Sequence, residues 1–464
     1  MSVLQLSDTE TTATILSVVD PRDGTSVGDV DVSSAEDAER ALLSADDAFG
    51  SWARVAPAER GSAMHTAADA LEREARALAA INTRETGRSE AEALDGILAG
   101  VSTLRQYAEL GPLHRGKSLK GSVLSADFTV SEPRGVVVAL TPWNDPVAVA
   151  CGLIGAAVVT GNTVVHKPSE RSPHTGLRLG DILREAFPDN VLQTVNGGPQ
   201  VGSFLTSSRI ARVICHVGST ETGRLIARAA AETGAHVVLE NGGNDPLIVD
   251  RCVDARWAAR QAAVGAFTNA GQLCTSVERI YVDDQIERQF TSALVAEAEQ
   301  WQRRLGPLVD RRLRAVVHRH VEDAVERGAT VEIGGRVPAG PGSHYPATVL
   351  TACSSEMLVM REETFGPIAP IQAVASFDEA LRLAGASRYG LSATVLTDSL
   401  ENAHRAIAEL GVGTLKVNAV FGGAPGGSAQ PRRESGQGFG YGPELLDEMT
   451  MTKVVHLQAA EALA

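Results

Sequence analysis

Cys274 closes the stretch Phe267-Thr268-Asn269-Ala270-Gly271-Gln272-Leu273-Cys274 and is followed by Thr275. A thiol acts as a nucleophile when it is exposed and its pKa is lowered, and a turn at Gly271 would open it to a substrate. A lone cysteine is also a common small core residue, so Cys274 by itself decides nothing. Glu240 ends the apolar run Val237-Val238-Leu239 and precedes Asn241-Gly242-Gly243-Asn244. A partly desolvated carboxylate at such a strand end can serve as a general base; a helix cap or a surface glutamate is the competing reading. Asn144 follows Pro142-Trp143 beyond another apolar run. Its side-chain amide could donate to a developing oxyanion, or merely form an Asx turn before Asp145-Pro146. Gly218-Ser219-Thr220-Glu221-Thr222-Gly223 has the form of a strand-to-helix turn whose backbone N–H groups would suit a pyrophosphate. It is neither a P-loop, since Arg224 stands where lysine is required, nor a GxGxxG turn. His318 and His320 invite a metal reading, but side chains two apart on a helix diverge, and a solvated helix face is expected there. No metal site is expected.

These residues need elements to hold them. From Ser34 to about Arg105 the pattern is helical, with an N-cap and acidic first turn at Ser33-Ser34-Ala35-Glu36-Asp37, a second helix from Ala58 and a third from Arg88. From Gly135 the pattern changes to strands alternating with helices. Val136–Leu140 reads as a strand buried on both faces, and Thr163–Lys167, Val191–Val195, Arg209–Val217 and Val237–Leu239 follow it. This alternation predicts parallel βαβ units, and it resumes from Asp245 to about Thr414 as a second α/β domain. Gly121–Val130 reads as an isolated strand pair and Lys453–Leu457 as a last strand, excursions of the kind that mediate oligomerisation. Gly422–Gly442 is rich in Gly, Pro and Ser.

At 464 residues the chain is long enough for two large domains, and 44% apolar residues supply ample cores. A net charge of −15 repels phosphate backbones, and aromatics at 4% are too few for base stacking, so no nucleic acid is expected. Met1–Asp8 lacks the basic and apolar regions of a signal peptide, and no run is long and apolar enough for a membrane span. Five scattered cysteines without a CxxC pair suit a reduced, cytoplasmic protein.

Taken in order, the motifs resemble those of the aldehyde dehydrogenase superfamily over nearly the whole chain. They are Pro142-Trp143-Asn144, Lys167-Pro168-Ser169-Glu170, Gly218-Ser219-Thr220, Glu240-Asn241-Gly242-Gly243 and Gly271-Gln272-Leu273-Cys274. Glu362-Glu363-Thr364-Phe365-Gly366-Pro367 and Ser435-Gly436-Gln437-Gly438 complete the series. Single motifs are weak, but seven in sequence are not coincidence. The resemblance implies an α/β fold of two Rossmann-like parallel-sheet domains with a small β oligomerisation extension. Residues 1–120 and 135–243 would form the NAD(P)-binding domain, 244–420 the catalytic domain, and 121–134 with 438–464 the oligomerisation strands of a homodimer or homotetramer.

The resemblance also implies roles. Cys274 would attack a small-molecule aldehyde, Asn144 and the Cys274 N–H would hold the oxyanion, and Glu240 would activate water to hydrolyse a thioester. Lys167 and Glu170 would hold the adenosine ribose, Ser219 the pyrophosphate with Trp143 nearby, and Glu363 the nicotinamide ribose with Phe365 beside it; Ser169, Gly218 and Gly242 join this cofactor set. Glu170 favours NAD, while Lys167 and Arg171 leave NADP open. Asp145, Val149, Gly152, Leu273 and Phe421 are the candidate substrate-tunnel residues, and Gly152 would leave the tunnel roomy. The chain departs from the usual pattern at Asp145 (commonly aromatic or apolar), Asn241 (Leu), His216-Val217 (Phe-Thr) and Arg433 (Lys). Asp145 would favour a polar or amine-bearing aldehyde, unless it simply pairs with an arginine. A CoA-acylating relative and a non-catalytic NAD-binding member are the alternatives; Glu240 argues against the first, and Cys274, Glu240 and Asn144 together against the second.

Overall fold

The computed structural model describes residues 14–422 and 427–460. The N-terminal stretch Met1–Asp8 and part of the Gly422–Gly442 segment therefore lie outside the described residues.

The strand Val136–Leu140 is buried at every position, and its side chains divide by parity. Val137 and Ala139 enter one core with helices Pro57–Thr86, Glu90–Leu110 and Pro146–Val159, whereas Val136, Val138 and Leu140 enter another with Leu42, Ala45 and Ile226. A strand with helices on both faces has no solvated side, which is why its sequence is continuously apolar. Thr163–Lys167 and Leu192–Thr194 lie in parallel to one side of it, Ala211–Val217 and His236–Glu240 to the other. The strand order thus reverses at Val136–Leu140, and the carboxyl ends there open the crevice where open α/β sheets bind ligands. A two-residue strand, Gly436–Gln437, closes the edge antiparallel to Leu239 and Glu240.

The second sheet runs Thr330–Ile333, Thr348–Thr351, Ile368–Val374, Val277–Asp283, Asp245–Val249, Ser392–Leu396, Thr414–Val417, parallel throughout except for its first pair. Both parallel sheets match the expected α/β class. The third sheet pairs Ser125–Pro133 with Thr450–Gln458 and with the short Ser118–Leu119. The strand pair expected within 121–130 is therefore longer and shifted, and it is completed by the C-terminal strand. A hairpin of Ile15–Val19 and Ser26–Asp31 has no counterpart in the sequence reading.

The helix starts follow local chemistry. Ser34 and Asp37 form a reciprocal capping box for Ala35–Trp52, and Ser89 and Glu92 form another for Glu90–Leu110. Gly87, at φ +77°, ends Pro57–Thr86. The third helix consequently begins at Glu90, leaving Arg88 in the junction. His320 corrects the expected solvated face: it is buried, with Nδ1 3.1 Å from Thr364 Oγ1, on the same face of helix Arg311–Glu326 as Val317, Val321 and Ala324. His318 instead bonds the Tyr345 hydroxyl at 3.0 Å. Among the described residues no helix is long and apolar enough to cross a membrane.

Candidate active site

Three loops converge between the two large sheets. The first, Thr141–Asp145, leaves the carboxyl end of Val136–Leu140. The second leaves His236–Glu240 through Asn241–Asn244 into the first strand of the other sheet. The third is the turn before Cys274. Asn269 (φ +49°), Ala270 (φ +54°) and Gly271 (φ +74°) all take left-handed conformations there. A Cβ at Gly271 would come within 2.1 Å of Gly366 O, so the close approach of these two segments requires glycine. The Gln272 side chain, 1% exposed, fastens the turn: Nε2 donates to Asn269 O at 2.9 Å, and Oε1 accepts from Val309 N at 2.8 Å.

Asn144 is buried and donates through Nδ2 to Gln272 O at 3.1 Å, which ties the first loop to the third two residues before the thiol. Cys274 keeps an exposed face. The protein around it, and then the charges of Glu240, Asp245, Glu363 and Asp145, push its thiol up to about 12. A thiol so shifted favours its protonated form near neutral pH. Burial raises Glu240 to about 7, where a carboxylate can accept a proton near neutrality. The carboxyl lies against Gly440, where a Cβ would be 2.0 Å from Oε1.

Further carboxyl groups surround these. Glu363 Oε1 accepts from Gly243 N at 3.0 Å, and a Cβ at Gly242 would be 2.0 Å from Oε2. Burial, with Glu278 beside it, raises Glu363 well above its usual range. Glu278 accepts from the N–H groups of Thr364 and Phe365, both at 2.8 Å, and so sets the segment that carries Glu363. Asp245 is raised to about 7 by burial; Oδ1 accepts from Ser392 N at 3.0 Å. The sequence reading did not single out Gln272, Asp245 or Glu278. Glu278 carried a signal, a charged residue inside the wholly buried strand Val277–Asp283.

Several residues expected to hold a cofactor lie just beyond strand ends. Ser219 caps helix Thr220–Thr233, accepting from Thr222 N, directly after Gly218. At that helix start Thr220 Oγ1 and His216 Nε2 are buried without a partner among the described residues. Lys167 is buried and donates to Gly197 O at 2.6 Å and Pro168 O at 2.8 Å; exposed Glu170 is 3.8 Å away. Ser169 Oγ accepts from Arg171 N at 3.2 Å. Trp143 packs edge-on against Phe365 at 5.7 Å, with the Arg171 guanidinium 5.3 Å from its ring. Orphaned polar atoms at a helix start, a bare Gly242 facing a carboxyl and an exposed Glu170 fit a dinucleotide.

Among the tunnel candidates, Asp145 pairs with Arg88 at 2.9 Å, the local pairing that competed with a substrate role. Gly152 has nothing within 4 Å of a Cβ position, as a roomy wall requires. Val149 is half-buried against the first core, and Leu273 is half-buried beside the thiol. Phe421 packs on the core of helix Ala255–Phe267, its ring 5.8 Å from Lys416 Nζ.

The model of the aldehyde dehydrogenase family matches residues 7–455. The chain belongs to the aldehyde dehydrogenase family. It is an oxidoreductase that oxidises an aldehyde. Betaine aldehyde dehydrogenase of Bacillus subtilis (strain 168) is 32% identical over 462 residues, covering 95% of this chain and 94% of the relative. Human retinaldehyde dehydrogenase 3 is 33% identical over 451 residues, covering 93% and 88%. The solved structure of betaine aldehyde dehydrogenase from Staphylococcus aureus in complex with NAD+ superposes with a TM-score of 0.94 at 28% identity, covering 97% of this chain and 93% of that one. This aldehyde dehydrogenase therefore shares its fold with an enzyme of that name.

Proposed function

We propose that this enzyme is a hydrolytic, NAD-dependent aldehyde dehydrogenase in which Cys274 is the nucleophile, Glu240 the base and Asn144 an oxyanion donor. The observation that carries this reading is the Glu240 carboxyl, raised to about 7 by burial and close enough to Cys274 to perturb its thiol. Glu240 takes the thiol proton directly or through a water, and Sγ attacks the aldehyde carbon. The oxyanion so formed meets the Asn144 amide and the Cys274 N–H. NAD, when bound, supplies the hydride acceptor that turns the thiohemiacetal into a thioester. Glu363, Phe365 and Gly242 would hold its nicotinamide end, and Lys167, Ser169, Glu170, Gly218, Ser219 and Trp143 the remainder. Glu240, once it has released the thiol proton to solvent, deprotonates a water that attacks the thioester, and it returns that water's proton to the departing sulfur as the acid leaves and the thiol re-forms.

A retained base favours water over CoA as the acyl acceptor. Assaying free acid with and without CoA tests this: CoA-dependent turnover overturns it. NAD is the expected cofactor because exposed Glu170 would repel a 2′-phosphate; comparing KM for NAD and NADP decides the point. The preferred aldehyde is polar or amine-bearing. The similarity to a betaine aldehyde dehydrogenase supports this; Asp145, neutralised by Arg88, adds little. A panel of amino-, hydroxy- and alkyl-aldehydes read by NADH absorbance tests it, and equal kcat/KM across the panel refutes it. The sheet of Ser125–Pro133 and Thr450–Gln458, with exposed Val454 and Leu457, supports a homodimer or homotetramer, checked by sedimentation. Five unbridged cysteines support a reducing, cytoplasmic setting, checked by fractionation.

A further inference from the structure

We propose that Arg88 is a positioning residue for the oxyanion site, holding the peptide of Asn144 so that its amide faces the carbon attacked by Cys274. The proposal rests on the reading of Asn144 as an oxyanion donor. Arg88 lies in the junction between Gly87, which ends one helix, and Ser89, which caps the next. Its guanidinium is only 8% exposed on the side chain. Nη1 donates to Asn144 O at 3.0 Å and to Asp145 Oδ1 at 2.9 Å, and Nη2 donates to Glu92 O at 3.0 Å. One rigid fork thus joins the start of helix Glu90–Leu110 to the loop carrying Asn144.

The same junction reaches the third loop. Glu92 Oε2 completes the cap with Ser89, while Oε1 accepts from Asn269 N at 3.4 Å, in the turn before Cys274. Asn144 Nδ2 spends one hydrogen on Gln272 O, an acceptor it shares with Asn269 Nδ2 at 3.3 Å. A primary amide has two N–H donors, so the second remains for the oxyanion. Its direction is fixed by the peptide behind it, and Arg88 holds that peptide's carbonyl. Gly96 makes room for the arrangement. A Cβ there would lie 2.5 Å from Asp145 Oδ1 and 3.3 Å from Arg88 Nη1. Asp145 is then a tether for the arginine rather than a substrate ligand.

The test is a double-mutant cycle on the pre-steady-state burst of NADH, using Arg88→Met, Asn144→Ala and both together. Asn144→Ala should slow the burst by about 100-fold, the usual effect of losing one oxyanion donor. Arg88→Met should slow it by about tenfold or more, and the double variant should be within about threefold of Asn144→Ala, because both changes act through one amide. KM for aldehyde and NAD, and the rate of Cys274 alkylation by iodoacetamide, should stay within about twofold for Arg88→Met, unlike a loss of general structure. Arg88→Lys, which keeps a donor but not the fork, should be intermediate. If Arg88→Met folds poorly, Gly96→Ala and Arg88→Lys carry the test, since each disturbs the fork while leaving the loops' own residues intact. A multiplicative loss in the double variant overturns the proposal, as does an unchanged burst in the folded Arg88 and Gly96 variants while Asn144→Ala is impaired. An unchanged burst in Asn144→Ala overturns the oxyanion assignment, and the proposal with it.

Discussion

Replacing Glu240 with glutamine removes the proposed base, whose ionisation should set the pH range of hydrolysis. The carboxyl ends the strand His236–Glu240, lies against Gly440, and is raised from 4.5 to about 7 by burial alone. That shift means the protein disfavours the ionised form by about 3 kcal/mol relative to water. With a pKa near 7, about one molecule in eleven carries the active carboxylate at pH 6 and about ten in eleven at pH 8. Where a burst of NADH shows that acyl-enzyme accumulates, the steady-state rate should therefore rise about tenfold between these values and level off above pH 8. Glu240→Gln should slow both the NADH burst and the steady-state rate, the latter by about 100-fold or more, and lose the pH dependence. A wild-type rate that is flat from pH 6 to 8 while acyl-enzyme accumulates would refute the reasoning, as would Glu240→Gln turning over like wild type.

Glu363→Gln should raise KM for NAD several-fold with a smaller change in the rate of Cys274 alkylation, read by cofactor titration; an unchanged KM removes Glu363 from the cofactor set. Asp245 is raised from 3.8 to about 7, so folding favours its protonated form. That contribution is complete below pH about 4, is lost as pH rises through 7, and is worth at most about 4 kcal/mol at 1.36 kcal/mol per unit. Asp245→Asn should accordingly flatten the fall of Tm between pH 5 and pH 8, measured by calorimetry. Gly271→Ala places a Cβ 2.1 Å from Gly366 O at a φ of +74°, and should cost about 1–3 kcal/mol of stability and most of the Cys274 reactivity. A variant with wild-type Tm and alkylation rate would show that the turn adapts.

The parallel sheets were legible because strands covered on both faces are apolar throughout, as Val136–Leu140 is. The proposed catalytic residues Cys274, Glu240 and Asn144 stand out only as a set, since each residue type alone has a structural reading. Arg88 was not legible as part of the site. Its importance comes from meeting Asn144 O across the fold, and nothing in its own neighbourhood announces that contact. Gln272 was visible within a motif, but its grip on Val309 depends on a distant loop. His320 was misread although the signal was present: the i, i+2 argument separates it correctly from His318, but the spacing of Val317, Val321 and Ala324 marks His320 as core-facing. The hairpin Ile15–Val19 with Ser26–Asp31 escaped notice because most of its residues are only partly covered and carry no strict alternation.

The antiparallel strand Gly436–Gln437 has a consequence for the order of events during synthesis. It pairs with Leu239 and Glu240, and Gly440 just beyond it lies against the Glu240 carboxyl. The proposed base is therefore covered in part by a segment that is made only after the whole second sheet. A nascent chain that carries Asn144, Glu240 and Cys274 but not yet Gly436 has an open sheet edge beside Glu240. Domains fold as they emerge, but Gly440 covers Glu240 only when that later segment docks. A product truncated before Gly436 would carry the three proposed catalytic residues without the cover of Gly440 on Glu240.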